Sequence, residues 1–84
     1  MISDPKPEKP PTAWEPAFSP WRHGGWYVVN LRRTSGAIGC VSRNYSDRKW
    51  RIVCDSRPNA HELHTYKSRK DAAIAEREVY GANP

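Results

Sequence analysis

Three runs rich in β-branched and aromatic residues, all between residues 25 and 55, most constrain how this 84-residue chain can fold. The runs cover residues 26–32, 37–43 and 49–55. Residues of these types favour strands, and the few turn-forming residues between the runs favour hairpins. Gly36 can take a positive φ in the first turn, and Tyr45 to Arg48 form the second. The pattern predicts a three-stranded antiparallel meander.

Side-chain alternation assigns the two faces of this sheet. A second hairpin centred near Asp47 places Ser42 opposite Ile52, and a two- or four-residue first turn places odd residues of the first strand beside even residues of the second. One face is then almost wholly apolar and is predicted to be the core side: Tyr27, Val29, Leu31, Ile38, Cys40, Trp50, Ile52 and Cys54. The other face mixes four cations with aromatic and small apolar groups and is predicted to stay open: Trp26, Val28, Asn30, Arg32, Gly39, Val41, Arg43, Lys49, Arg51 and Val53.

A single helix is predicted after the sheet. Ser68 is a suitable N-cap, and Asp71 lies three residues later, near the positive end of the helix dipole. Strong helix formers continue to Tyr80, and Gly81 ends them. Small apolar side chains of this run gather on one side of a helical wheel, although Glu76 falls within the same arc. The predicted fold class is α+β, a three-stranded antiparallel sheet packed by one C-terminal helix (βββα).

The first 21 residues are predicted to be a Pro-rich flexible arm, and residues 22–84 a single small domain. Six of the eight prolines lie in the first 20 residues, where they fix φ and remove backbone donors, so neither a helix nor an interior strand is expected there. A disordered or polyproline-like conformation is expected to about Thr12, and Pro7 to Pro10 match the minimal PxxP pattern. Three aromatic residues follow, and they either pack over the sheet or anchor a protein partner: Trp14, Phe18 and Trp21.

The positive charge of the chain is concentrated in the predicted sheet. The net charge is +5. Residues 22–57 carry eight lysines or arginines against Asp47 and Asp55, a net charge of +6, whereas the flanking segments are close to neutral. Such a patch attracts nucleic acid, acidic proteins or anionic lipid, and it is also common on a solvated surface.

Several classes of protein are disfavoured. The sequence has no run of about 18 apolar residues and no basic start followed by an apolar segment, which predicts no membrane span, no signal peptide and a cytoplasmic location. Cysteines in the cytoplasm are expected to be reduced. The sequence has no Gly-rich phosphate loop and no pair of acidic residues on the sheet. We therefore expect a non-enzymatic protein without a cofactor or a small-molecule substrate.

A zinc site is the main alternative use of the cysteines and histidines. Cys40 and Cys54 are predicted cross-strand neighbours, and His61 and His64 are three apart, with His23 as a further ligand. Zinc ligands usually come closely spaced in each half of a site, whereas these cysteines are fourteen apart on strands that face the core. Small core residues are the better interpretation of both cysteines, a disulfide is a further alternative, and no metal site is predicted.

The stretch from residue 25 to residue 80 resembles a known family. It opens a strand with G-W-Y-V at 25–28, continues with two basic strands, and leads into the helix with Y-K-S-R-K-D-A at 66–72. This arrangement is similar to the arm-type DNA-binding domain at the N-terminus of phage and transposon tyrosine integrases, and the chain is also similar to short uncharacterised proteins of actinobacteria and their phages. In the integrase family the sheet lies in the DNA major groove and the helix backs it. This sequence contains no recombinase domain, so the resemblance implies only a binding role.

These observations predict a small basic binding module of phage or mobile-element type. The expected partner is double-stranded DNA, bound through the open face of the sheet. Phosphates or base edges are the expected ligands of Arg32, Arg43, Lys49 and Arg51, and backbone phosphates those of Arg33 and Arg48. Trp26 on the same face is suited to stack an unpaired base, which leaves RNA as a further possibility. The alternative is a protein-interaction module, such as a phage-encoded modulator of a host protein, that uses Trp14, Phe18 and Trp21.

Overall fold

The computed structural model describes residues 14–82 as an antiparallel sheet covered by a C-terminal helix. The sheet has four strands in chain order: β1 (Phe18–Trp21), β2 (Gly25–Arg32), β3 (Ile38–Ser42) and β4 (Arg51–Ile52). Two helices follow: α1 (Ala60–Leu63) and α2 (Arg69–Tyr80). The predicted α+β class is confirmed, and the predicted three strands are corrected to four.

The additional strand comes from the second half of the predicted arm. Phe18 pairs with Val28 and Trp21 pairs with Gly25, which makes β1 an edge strand beside β2. Pro20 is tolerated in β1 because an edge strand leaves one side of its backbone without a partner strand. The PxxP pattern and the predicted disorder fall in residues 1–13, outside the described residues.

The faces of β2 and β3 are the reverse of the prediction, except that Leu31, a predicted core residue, is buried. Val41 pairs with Ile52, so the second hairpin is shifted by one residue from the predicted pairing of Ser42 with Ile52. A shift of one residue moves a strand's side chains to the other face. Val28, Val41 and Ile52 are therefore buried together, while Cys40, a predicted core residue, lies on the opposite face of β3.

The close approach of α2 to β3 explains which face is covered. At Gly39 an added Cβ would lie 2.7 Å from Oε1 of Glu76, so only glycine allows the helix to lie this near. A β-bulge in β2, between Val28 and Arg32, then brings Leu31 into the same core. The helix thus packs on the face that carries Gly39.

Helix α2 begins and ends where the sequence predicts. Ser68 Oγ accepts a hydrogen bond from the backbone N–H of Asp71 at 3.0 Å, which caps the first turn. Gly81 follows the last helical residue and donates its backbone N–H into the last turn. Ala72 and Ala73 are fully buried against the sheet. Their small side chains keep the helix close to the sheet.

Candidate functional site

Two of the predicted nucleic-acid ligands, Arg33 and Arg51, are held by carboxylates. Arg33 Nε donates to Glu76 Oε2 at 2.8 Å. Arg51 makes a two-point contact with Asp47, at 2.8 Å to Oδ1 and 2.7 Å to Oδ2. Arg51 is only 6% exposed, and its Nε donates to the carbonyl of His61 at 2.8 Å. Both guanidiniums therefore use their donors within the protein.

Arg33 belongs to an ion-pair network where β2 and α2 end. Arg57 makes a two-point contact with Asp55, at 2.9 Å from Nε and 2.7 Å from a terminal nitrogen. The Tyr80 hydroxyl donates to Asp55 at 2.7 Å, and the Arg33 guanidinium stacks 4.1 Å from the Tyr80 ring. The hydrogen bonds from Arg57 hold the pKa of Asp55 below its usual range. We call this group the ion-pair network; its members are Arg33, Asp55, Arg57, Glu76 and Tyr80.

Glu76 is the most deeply buried member of the ion-pair network, with 1% exposure. Its carboxylate accepts from Arg33 and from the backbone N–H of Cys40 at 3.0 Å. Burial raises the pKa of Glu76, and the hydrogen bond from Arg33 opposes that rise. Burial is also the main cause that raises the pKa of the Cys40 thiol to about 12, which keeps it neutral and a poor nucleophile.

A cleft of about 470 Å³ lies at the other end of these elements, where β2 and α2 begin. We call it the Arg-Trp cleft; its lining residues are Gly24, Trp26, Arg43, Asn44, Arg48, Trp50 and Arg69. No acidic side chain lines it. Within residues 14–82, none of its three arginines takes part in an ion pair. The cleft therefore has a strongly positive lining with guanidinium donors that are open to a ligand.

The core holds the two indoles of the Arg-Trp cleft in place. Trp26 and Trp50 are half-buried and pack against the hydrophobic core. The Arg69 guanidinium lies between two rings, 4.1 Å from Phe18 and 4.5 Å from Trp26. The Arg43 guanidinium lies 5.6 Å from the Trp50 ring. These cation–π contacts fix the rings and spread positive charge over the cleft.

The loop between β3 and β4 carries Arg48 into the cleft. Arg48 has a left-handed backbone with φ of 59°, and its N–H donates to the Tyr45 carbonyl at 3.0 Å. Asp47 Oδ1 accepts from the backbone N–H of Lys49 at 3.1 Å, in addition to its contact with Arg51. The hydrogen bond from Arg51 is also the main cause that lowers the pKa of Asp47. Arg51 thus fixes the loop that carries Arg48 through its contact with Asp47.

One edge of the cleft is a tight contact between two turns. The Asn44 side-chain Nδ2 donates to the carbonyl of His23 at 3.3 Å, and its backbone N–H donates to Ser42 Oγ at 3.0 Å. Gly24 has φ of 86°, and an added Cβ there would lie 2.6 Å from Asn44 Nδ2. Position 24 therefore requires glycine, and the amide of Asn44 has a fixed orientation with Oδ1 as an available acceptor.

Three of the predicted nucleic-acid ligands line the cleft: Trp26, Arg43 and Arg48. Lys49 lies beside it, adjacent to Trp50 in sequence. Arg32 lies elsewhere: it donates to the Gly36 carbonyl at 2.7 Å and lines a second cleft of about 370 Å³ with Trp14 and Arg77. Sequence reasoning missed Asn44, Trp50 and Arg69. The position of Arg69 was predictable in part, because it directly follows the predicted N-cap Ser68 and so lies in the first turn of the helix.

The aromatic residues of the predicted arm pack on the domain. Trp14 and Phe18 contact the hydrophobic core, and the Arg77 guanidinium lies 5.1 Å from the Trp14 ring. Trp21 lies 6.3 Å, centroid to centroid, from Tyr27. Of the two alternatives for these rings, packing on the sheet is therefore the one observed.

The cysteines and histidines are dispersed. Cys40 and Cys54 are free thiols. His23 stacks against Trp21, and His61 packs against Tyr45. Among residues 14–82, no group of three or more histidine, cysteine or acidic side chains is placed to hold a metal ion.

Comparisons of this chain with protein families, with curated proteins and with solved structures find no match. The resemblance to the integrase arm domain therefore stays a prediction. In the part of the chain that the structure describes, no helix is long and apolar enough to cross a membrane.

Proposed function

We propose that this protein binds nucleic acid in the cytoplasm through the Arg-Trp cleft and the cations beside it. One observation carries the proposal: three arginines that have no acidic partner among residues 14–82 converge with two indoles on a single cleft. Guanidinium groups bind phosphate oxygens in a two-point geometry, and a positive surface attracts a polyanion over longer distances.

Other positive groups extend this surface. The antiparallel bridge between Trp50 and Tyr66 brings Lys49 and Lys67, each one residue away, to the same end of the molecule, and both lysines are exposed. The N-terminus of α2 points to this end as well, and a helix N-terminus carries a partial positive charge. A phosphate backbone that crosses the cleft would therefore meet several cations in succession.

The proposed surface differs from the open sheet face in the sequence prediction. Arg33 and Arg51 are used in ion pairs, and Arg32 lies at the second cleft. Arg43, Arg48 and Lys49 stay as candidate contacts to phosphates, and double-stranded DNA stays a candidate partner for them. The proposed role is binding without catalysis.

The protein-interaction alternative has less support. It needs Trp14, Phe18 and Trp21 as anchors of one surface, whereas Trp14 lies beside Arg77 at the second cleft, Phe18 lies beside Arg69, and Trp21 lies beside Tyr27.

A titration at two salt concentrations tests the proposal. A fluorescently labelled 12-base-pair duplex and its single strand are titrated with the full chain and followed by anisotropy. Replacing Arg43 and Arg48 together by alanine removes two phosphate contacts, so we expect at least about tenfold weaker binding. The slope of log affinity against log salt should become shallower by about 2.

The matched control is Arg77→Ala, which removes an exposed arginine stacked on a different tryptophan, outside the Arg-Trp cleft. Its affinity should stay within about twofold of that of the unaltered protein. Absence of binding to both nucleic acids at low salt, or equal losses in the double variant and in Arg77→Ala, would sink the proposal.

A further inference from the structure

The shape of the Arg-Trp cleft narrows the kind of nucleic acid that it fits. Its volume of about 470 Å³ lies within the range of roughly 300–1,000 Å³ that is typical of small-molecule sites. It is a concave site for one compact group, whereas a duplex presents a long, regular surface. A flat sheet or an exposed helix would be the expected surface for reading a major groove.

The two indoles of the cleft indicate a ligand with an accessible ring face, such as a nucleic-acid base. In a duplex the base faces are stacked on one another, and only phosphates, sugars and base edges are accessible. An aromatic side chain can stack on a base only when that base is unpaired and displaced from the stack. Trp26 lines the cleft from β2, and Trp50 lines it from the position just before β4, so a base that enters it meets an indole.

Polar groups are placed to complete such a site. Arg43 and Arg48 enter from the loop between β3 and β4, on the same lining as the indoles, and are the candidates for a phosphate. The side-chain amide of Asn44 donates from Nδ2 to the carbonyl of His23, and its Oδ1 atom accepts no hydrogen bond from a described residue. That oxygen is available for an N–H group on a base edge.

We propose that the Arg-Trp cleft binds a single unpaired nucleotide, with its base against Trp26 or Trp50 and its phosphate on Arg43 and Arg48. This inference rests on the proposed nucleic-acid binding and specifies its ligand. The nucleotide belongs either to a single strand or to a free mononucleotide, which offer the same chemistry. The protein would then prefer a single strand to the duplex that this strand forms with its complement.

The test compares four probes on the full chain at one salt concentration. They are a labelled ten-nucleotide single strand, its duplex, a single strand of equal length in which every base is removed to leave abasic sites, and adenosine monophosphate as a competitor. Stacking of one base on an aromatic ring changes affinity by roughly 5- to 150-fold. We expect the single strand to bind about tenfold more tightly than the duplex and the abasic strand.

The outcomes separate this inference from the function on which it rests. Equal affinities for the base-bearing and abasic strands overturn the unpaired nucleotide and leave nucleic-acid binding intact. Binding of no probe overturns both. If adenosine monophosphate displaces the strand at concentrations near the Kd of the strand, the site is assigned to a free nucleotide. If displacement needs concentrations far above that Kd, the site is assigned to a nucleotide within a strand.

Variants add a second measurement. At least one of Trp26→Leu and Trp50→Leu should reduce the preference for the base-bearing over the abasic strand to less than about threefold, and an unchanged preference in both would overturn the inference. Trp14→Leu, which removes an indole that lies under an arginine elsewhere, should keep the preference. Thermal unfolding shows whether each variant is folded. If Trp50→Leu does not fold, Trp50→Phe retains an aromatic ring and should keep the preference, and the abasic comparison decides.

Discussion

The two ends of the sheet use arginine in opposite ways. Where β2 and α2 end, Arg33 and Arg57 are paired with buried carboxylates in the ion-pair network. Where they begin, Arg43, Arg48 and Arg69 surround the Arg-Trp cleft without an ion pair among residues 14–82, and the guanidiniums of Arg43 and Arg69 lie over aromatic rings. The same type of side chain is therefore structural at one end and available for a ligand at the other.

The number of cations is therefore a poor guide to the location of a binding surface. A paired guanidinium has its donors occupied and its charge compensated, so it adds little to the attraction for a polyanion. An unpaired guanidinium stacked on an indole keeps its donors and its charge. The account predicts that substitutions in the ion-pair network change stability, while substitutions in the cleft change binding.

The largest effect on stability is expected for Glu76→Ala. The substitution leaves the Arg33 guanidinium and the backbone N–H of Cys40 without their buried acceptor. Breaking a buried ion pair in this way costs about 3–5 kcal/mol. Urea unfolding of the full chain measures this loss of stability. The control is Glu78→Ala, which replaces an exposed glutamate on the same helix and should change the free energy of unfolding by less than about 0.5 kcal/mol. A loss below about 1 kcal/mol for Glu76→Ala would contradict the structural role.

A smaller loss is expected for Tyr80→Phe. The Tyr80 hydroxyl donates to Asp55 at 2.7 Å and accepts from the backbone N–H of Ser56 at 2.8 Å. Removing it leaves two polar groups short of a partner, at a cost of about 1–3 kcal/mol. The control is Tyr27→Phe, because no hydrogen bond of the Tyr27 hydroxyl is found within residues 14–82. Equal unfolding midpoints for both variants in urea would show that the network does not depend on Tyr80.

The response to acid sharpens the contrast within the network. The pKa of Asp55 is lowered by its hydrogen bonds from Arg57, so its contribution is present above the unfolded pKa of about 3.9 and is lost as the pH falls below it. The pKa of Glu76 is raised by burial, so its contribution has the opposite sign: it is present below about pH 4.3 and is lost as the pH rises through the folded pKa.

Urea unfolding between pH 3 and pH 7 measures how the free energy of unfolding depends on pH, and so tests both contributions. The free energy of unfolding should fall below about pH 4, and this fall should be shallower in Asp55→Asn than in the unaltered protein. Glu76→Gln should retain the acid-side fall and lose the decline that Glu76 contributes at higher pH. An equally steep acid-side fall in Asp55→Asn would argue against the assigned role of Asp55.

The smallest effect on stability is expected in the cleft. Arg43→Ala and Arg48→Ala remove exposed side chains that have no ion pair among the described residues, so each should change the free energy of unfolding by less than about 0.5 kcal/mol. The same variants should each weaken nucleic-acid binding severalfold. Thermal unfolding measures the stability of each variant, and the anisotropy titration measures its affinity for nucleic acid. A large loss of stability without a change in affinity would contradict the assignment of these arginines to a binding surface.

Local signals in the sequence predict much of the fold and little of its register. The helix limits follow from Ser68 and Gly81, which act through short-range capping. The faces of the sheet depend on a one-residue shift between β3 and β4, and both faces carry valine: Val29 on the predicted core face, and Val28, Val41 and Val53 on the other. The contact of Glu76 with the Gly39 position is long-range, and no local pattern in the sequence contains it.

The candidate site was predictable to a similar degree. Charge and residue type were enough to single out Trp26, Arg43 and Arg48, which do line the cleft. Which arginines form ion pairs was not predictable, because Glu76 is 43 residues from Arg33 and contacts it only through the packing of α2. A buried glutamate in an otherwise apolar helical arc is nevertheless a signal that some cation must face it.

The most direct test follows the arginine and tryptophan side chains themselves. A two-dimensional NMR spectrum of the ¹⁵N-labelled chain resolves arginine Nε–H and indole N–H groups, and a single-stranded oligonucleotide is added in steps at low salt. The account predicts shifts for the guanidiniums of Arg43, Arg48 and Arg69 and for the indoles of Trp26 and Trp50, with no shifts for Arg33, Arg51 and Arg57. Shifts confined to the ion-paired arginines, or none at all, would contradict it.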